Sequence, residues 1–339
     1  MKLSIDEINS PDGLCALKSE WAGLWKRCPS STPFQSPWWL LPWCGHFSGR
    51  NLRVFVIRSE GRVVCIAPLY GHTGEDGARG LYIAGNGVSD YLDIIAEPGS
   101  EGACVRLLFD TLLDDKESWD ICDFQELRPS SPLLSVYMPE GVFRRAFQMD
   151  ACPVIDLPGS SGNFYSSFST RPRKRLRYLK NCLKRPGVSI DAANKDTLKE
   201  YIDCLFKLHC SRWETKGQAG VLSDESLRSF NRRVAEGFLE EGLLRLYRMR
   251  IGGTDAAALY SFVWAGRKYF YLCGFNPELK SLSPGRSIFL HAIEEAIREG
   301  LREADLLRGR EGHKYRWGAR DRLNYRLTIT HQSFSLEAR

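Results

Sequence analysis

No stretch of this sequence approaches the roughly 20 consecutive apolar residues that a helix needs to cross a bilayer, so no transmembrane segment is expected. The opening Met1-Lys2-Leu3-Ser4-Ile5-Asp6-Glu7 lacks a basic segment followed by an apolar one, and a cytoplasmic location is the expectation. The 11 cysteines are odd in number and include no C-x-x-C pair. They stand singly in apolar patterns such as Val64-Cys65-Ile66 and Ile121-Cys122-Asp123, which points to reduced, buried thiols and away from a disulfide framework or a zinc site. Also missing are a Walker phosphate loop, a G-x-S-x-G elbow and an H-E-x-x-H helix. Those absences speak against nucleotide-hydrolase, serine-hydrolase and zinc-protease chemistry, and no metal is called for.

What remains is an ordinary globular composition, 43% hydrophobic and 26% charged over 339 residues, a length better matched to two packed units than to one. Charge is unevenly spread. Residues 1–150 carry 14 basic and 20 acidic side chains, whereas residues 151–339 carry 33 and 21, so the halves stand at −6 and +12. A positive second half suits an anionic ligand there, a phosphate-bearing cofactor or a nucleic acid.

Two stretches share one texture. Leu52 to Arg58 followed by Val63 to Leu69, and Leu244 to Arg250 followed by Ala256 to Val263, each read as a β-hairpin with a glycine turn. After the first come a strand at Asp90 to Ala96, a turn at Pro98-Gly99, a helix from about Ala103 to Leu113 and a strand at Trp119 to Leu127. After the second come a strand at Lys268 to Phe275, a turn at Ser283-Pro284-Gly285, a helix from Ser287 to Glu299 and a strand at Ala304 to Leu307. This ordered repeat, offset by roughly 180 to 190 residues, predicts a duplicated α/β unit with a connection near Pro153 to Gly162.

Four segments carry candidate chemistry. Strand, tight loop and buried helix follow one another from Tyr269 to Ile297, with Phe289, Ile293, Ala296 and Ile297 on one helical stripe. Pro284 and Gly285 would turn the backbone sharply into the helix and leave its first N–H groups facing outward at the positive end of the dipole. Arg286 adds a cation, so a diphosphate would be held there, although the same residues also suit an ordinary Pro-Gly helix start. In Leu208-His209-Cys210-Ser211-Arg212-Trp213, at the end of a helical pattern, His209 has the right ordinary pKa to accept a proton from an attacking amine or hydroxyl, or else is a structural histidine. The run Asp305 to Trp317 mixes glycines, cations and aromatics, and Lys314 and Trp317 would share a helix face. Finally, Arg171 to Arg185 holds eight basic residues and no acid, with Leu176, Leu179 and Leu183 at helical spacing. Such an amphipathic helix packs on a core and offers its basic face to solvent, RNA, a carrier protein or an anionic membrane.

Taken in order, these residues resemble the BcsL/CelD-like acetyltransferases of the GNAT superfamily, a bacterial family linked to cellulose and exopolysaccharide biosynthesis. The resemblance spans nearly the whole chain. It rests on Pro33-Phe34-Gln35-Ser36-Pro37-Trp38-Trp39, Ser89-Asp90-Tyr91-Leu92-Asp93, Arg171 to Arg185, Leu208-His209 with Arg212-Trp213, Ser283-Pro284-Gly285, and Asp305 to Gly309 with Lys314 and Trp317. It implies an α/β fold of two tandem GNAT domains, residues 1–155 and a catalytic 163–335, each a mixed sheet flanked by helices. It also implies direct acyl transfer, acetyl in the simplest case, from acyl-CoA to an amine or hydroxyl of a small-molecule or saccharide acceptor.

The site residues implied are His209, Tyr271 and Asp305 for catalysis, and Leu272, Gly274, Ser283, Pro284, Gly285, Arg286, Ser287 and Lys314 for acyl-CoA. Asp90, Asp93, Arg212, Trp213 and Trp317 are implied for the acceptor. In the family at large an arginine or glutamine precedes two glycines at the helix entry, whereas this chain has Gly285 followed by Arg286. The architecture is also similar to the Fem-type aminoacyl transferases, which take their acyl group from aminoacyl-tRNA. That leaves open a tRNA donor or a carrier protein held by the 171–185 helix, and also a non-catalytic GNAT-like scaffold in polysaccharide or secondary-metabolite biosynthesis.

Overall fold

Hydrophobic alternation and helical stripes alternate along the chain, and a computed structural model describes the outcome for residues 2–46, 51–215 and 217–331. The chain forms two units, Met1–Ala151 with Leu323–Arg339, and Cys152–Arg322. The first runs β1 (Leu3–Ile8), α1 (Pro11–Ala16), α2 (Lys18–Arg27), α3 (Pro37–His46), β2 (Asn51–Ser59), β3 (Arg62–Thr73), β4 (Arg79–Ile83), β5 (Ile95–Ala96), α4 (Glu101–Asp114), β6 (Ile121–Leu127) and β7 (Val142–Ala151). The second runs β8 (Val154–Asp156), α5 (Ser161–Ser166), α6 (Thr170–Leu183), β9 (Val188–Ala192), α7 (Leu198–Glu214), α8 (Glu225–Glu240), β10 (Leu244–Ile251), β11 (Thr254–Trp264), β12 (Arg267–Phe275), α9 (Pro284–Arg298), β13 (Glu303–Asp305) and α10 (Gly312–Tyr315). The chain then returns to the first unit as β14 (Leu323–His331).

The two sheets repeat one plan. Unit 1 has the order β1-β2-β3-β4-β6-β14-β7, with β5 paired to β3, and unit 2 has β9-β10-β11-β12-β13-β8 when read from its β9 edge. Neighbours are antiparallel except at one place in each unit, β4 with β6 and β12 with β13. In both, the strand after the hairpin leads into a helix, and the strand after the helix returns parallel to it. That is the expected duplication, with two corrections. The counterpart of β12 is β4, not a strand over Asp90 to Ala96, of which only Ile95 and Ala96 pair as β5. Glycines at 77 and 80 gave the β4 segment the look of a turn. The closing strands also differ from the expected 163–335 block: β14 lies between β6 and β7 of unit 1, and β8 closes the sheet of unit 2.

Each core follows from the periodicities. Cys104, Val105, Leu108, Phe109 and Leu112 give α4 one apolar stripe, buried against Trp119 and Phe124. In unit 2, Ile288, Ile293 and Ile297 of α9 pack with Ala257 and Leu259 of β11, Phe270 of β12, and Leu176 and Leu179 of α6. The other face of β12 meets α7 so closely that a Cβ on Gly274 would stand 2.5 Å from the His209 backbone nitrogen and 2.7 Å from the Leu208 carbonyl carbon. Neither contact can yield, because both belong to helix backbone. Gly274→Ala is therefore expected to cost on the order of 3 kcal/mol of unfolding free energy. Chemical denaturation measures it, and a loss well under 1 kcal/mol would show that α7 does not seat on this glycine.

Candidate active site

Strand β12 pairs with β11 through Phe275 but with β13 only at Arg267, Lys268 and Tyr269. Beyond Tyr269 the two parallel strands part. A bulge at Tyr271 lies at the same point, since Leu272 faces Tyr260 while Phe270 faces Ser261. What turns β13 away is local. The Asp305 carboxylate accepts the Leu307 N–H at 2.9 Å, and Leu307 sits in the left-handed region at φ 59. Arg322 donates to both Asp305 and Glu303, and the buried Lys314 ammonium donates to the Leu307 and Arg308 carbonyls at 2.9 and 2.6 Å and pairs with Glu311 at 3.0 Å.

Beside the parted strands, α9 opens at Pro284 without a side-chain cap. Ser283 is left-handed, φ 56, and its carbonyl accepts from the Arg286 and Ser287 N–H groups. The exposed Arg286 side chain donates to the Ser283 hydroxyl at 2.9 Å. Gly285 lies against the Phe275 ring, where a Cβ would meet Cδ1 at 3.1 Å. The Ser287 hydroxyl is fully buried and has no hydrogen-bond partner among the described residues. The expected row of outward-facing amides is thus reduced: Pro284 has no N–H, and those of Arg286 and Ser287 are bonded to the Ser283 carbonyl, so a diphosphate would rely on the Gly285 N–H, the Arg286 cation and the positive end of the α9 dipole.

The end of α7 borders the same strand. Arg212 donates to the Cys273 carbonyl at 3.2 Å and lies 5.5 Å from the Phe275 ring, so residues 209–213, 273–275 and 283–286 form one continuous neighbourhood. His209 is 4% exposed, and its Nε2 accepts the Trp213 indole N–H at 3.0 Å. An indole only donates, so the imidazole proton sits on Nδ1, which is buried without a partner. Burial, assisted by the Arg212 charge, pushes the imidazole down to about 4. Its one lone pair is taken, which sets His209 as a strut for Trp213 and not as a base.

Other expected residues fall into two groups. Tyr271 is half-buried, edge-on to Tyr260, and with Leu272 forms the bulged β12 segment where the strands diverge. Asp305 is fully buried and engaged in holding the β13 turn, which removes it from acid–base work. All three Lys314 donors serve the same turn, leaving none for a phosphate. Trp317, 5% exposed, stacks on Phe289 and belongs to the core. Asp90 and Asp93 lie in unit 1, Asp93 buried and lining a cavity of about 250 Å³. A second cavity of about 470 Å³ is lined by Cys210, Glu214 and Arg228, and neither includes Ser283 to Ser287. Phe275 and the Cys273 carbonyl went unnoticed in the sequence, although Phe275 ends the very strand that was singled out.

Residues 167–315 match the acetyltransferase (GNAT) domain family, so this part of the chain is a GNAT acyltransferase-type domain. With the repeated strand order, the whole is a tandem GNAT fold. Solved structures of similar fold include FemX, 11% identical with 98% of each chain covered and a TM-score of 0.68. They also include the C-terminal domain of a putative lysylphosphatidylglycerol synthetase from Agrobacterium fabrum, 11% identical over 93% of this chain and 92% of that one, TM-score 0.60. L-PGS from Bacillus licheniformis is 12% identical over 98% and 95%, TM-score 0.59. At these identities the likeness is one of fold. No curated protein matches the sequence.

The state of His209 is open to direct measurement. Its ring-proton NMR shift should stay that of a neutral imidazole above about pH 5, because both burial and Arg212 oppose the charged form. A midpoint near the ordinary value of about 6.5 would return it to the list of bases.

Proposed function

We propose that the second unit transfers an acyl group from acyl-CoA, acetyl in the simplest case, to an amine or hydroxyl of a small-molecule or saccharide acceptor, as the likeness to BcsL/CelD-type enzymes suggests. The observation that carries this reading is the parting of β12 from β13 beside an uncapped helix start that bears Arg286. Acyl-CoA supplies an activated thioester. The chain's own part is to hold and orient: Ser283, Pro284, Gly285 and Arg286 take the diphosphate, with the Ser287 hydroxyl in the same turn, and the Tyr271-Leu272-Cys273 segment flanks the acyl end. Arg212 and Trp213 border the acceptor side. Rate enhancement then comes chiefly from proximity and from fixed backbone dipoles: the acceptor attacks the thioester carbonyl directly, the carbon–sulfur bond breaks, and CoA leaves as the free thiol, taking up the proton that the acceptor gives up.

Calorimetric titration with acetyl-CoA tests the phosphate site. Arg286→Ala removes one charge-assisted contact of about 1.5–3 kcal/mol, so affinity should fall roughly ten- to a hundredfold, and Gly285→Trp should abolish binding. Unchanged affinity in both variants would remove α9 from the donor site.

A second reading, an aminoacyl-tRNA donor, is favoured by α6. Arg171, Lys174, Arg175, Arg177, Lys184 and Arg185 are exposed and make no ion pair among the described residues, with the exposed Tyr178 among them. Arg173 is not one of this set, because it donates to the Ser166 and Phe168 carbonyls. If RNA is the donor, neutralising Arg171, Lys174 and Arg177 lowers the slope of log affinity against log salt for tRNA by roughly 0.7–0.9 per cation. A salt-insensitive or absent tRNA interaction dismisses this reading.

A further inference from the structure

Unit 1 keeps a pocket where unit 2 has its helix mouth, but the charge there is reversed. The cavity of about 250 Å³ lies between the residues after β6, represented by Arg128 and Pro132, and the first residue of α4, Glu101. Since α4 follows β4 as α9 follows β12, this is the same topological position. Where α9 begins Pro284-Gly285-Arg286, α4 begins with Glu101, whose carboxylate accepts the Gly99 N–H at 2.7 Å. Its negative charge repels a diphosphate.

Asp93, 5% exposed, lines the same cavity. Its Oδ1 accepts the Ile94 N–H at 2.9 Å and the Ser131 hydroxyl at 2.8 Å, while among the described residues no donor reaches Oδ2. A buried carboxylate with half its acceptor capacity unused is costly, and burial pushes this one up to about 7 against the pull of Arg128. Arg128 shares the cavity without pairing with Asp93; its guanidinium donates to the Ser30 carbonyl and lies 5.8 Å from the Tyr91 ring. The loop bearing Asp93 is held in place. The Trp39 indole donates to Ser89 at 2.9 Å, and the buried Gln35 amide reaches the Ile94 carbonyl at 3.5 Å. The segments Pro33 to Trp39 and Ser89 to Asp93, far apart in sequence, thus build one rigid pocket.

We propose that this pocket binds a small zwitterionic α-amino acid, its ammonium on Asp93 Oδ2 and its carboxylate on Arg128, with the side chain toward Ile94 and Pro132. A carboxylate and a guanidinium that line one small, partly apolar cavity without pairing match that distribution of charge. The site lies within unit 1 and holds whether or not unit 2 transfers acyl groups.

Calorimetry on the full chain tests it with glycine, L-alanine and L-valine as probes, and with L-alaninamide and N-acetyl-L-alanine as controls lacking one charge each. Saturable binding of at least one amino acid is expected, at least tenfold weaker for each control that lacks a charge. Asp93→Asn keeps the Oδ1 contacts and should weaken amino-acid binding at least tenfold, with the melting temperature and acetyl-CoA affinity unchanged. Absence of saturable binding by all three probes overturns the proposal, as does an amide or acetylated control that binds as tightly as alanine. Because those controls act on the unmodified protein, they decide the matter even if the variant fails to fold.

Discussion

Three residues of parallel pairing decide much of this molecule. Arg267, Lys268 and Tyr269 pair with β13, and then β12 continues to Phe275 paired with β11 on its other edge. The opening is enforced from the β13 side by buried or partly buried groups held in hydrogen bonds and ion pairs. Asp305 holds a left-handed Leu307, Arg322 ties Asp305 to Glu303, and Lys314 closes on two consecutive carbonyls. Breaking any one leaves a buried charge or carbonyl unpaired, which is why the parting is a stable feature and not a frayed edge. On the β12 side the bulge at Tyr271 and the backbone contact of α7 at Gly274 fix where the strand edge lies.

Duplication then supplies two versions of one frame with different chemistry. Both units place a helix after the third strand of the repeat and return a parallel strand from it. In unit 2 the helix begins with a bare turn and a cation. In unit 1 it begins with an acid that lines a small cavity together with a buried aspartate and an arginine. The opposite net charges of the two sequence halves, −6 and +12, are the coarse trace of this divergence. A shared fold therefore does not imply a shared ligand.

Much of the frame was legible before any coordinates. Both hairpins, the α4 and α9 stripes, the basic helix α6 and the Pro-Gly entry to α9 follow from periodicity and turn chemistry. The strand β4 was not, because glycines in and before a five-residue strand look like a turn, and a loop through Tyr91 and Leu92 carries the apolar density of a strand. The exchange of closing strands was equally hidden, since β8 is three residues long and β14 lies far from its partners in sequence. At the site, residue type misled more than position did. His209, Asp305 and Lys314 all stand near the parted strands, but their hydrogen bonds are committed inward, and only pairing geometry reveals that. The Asp93 pocket was half visible: the aspartate was singled out, while Arg128 and Gln35, which give it meaning, come from distant segments.

Native mass spectrometry of the full chain purified without added ligand, then titrated with acetyl-CoA, tests the central claim most directly. The parted strands and the α9 entry predict a one-to-one acetyl-CoA adduct, retained from the cell or formed on titration, that vanishes when Arg286 and Gly285 are replaced together. A protein that takes up no coenzyme A species, and instead retains RNA, would contradict the account.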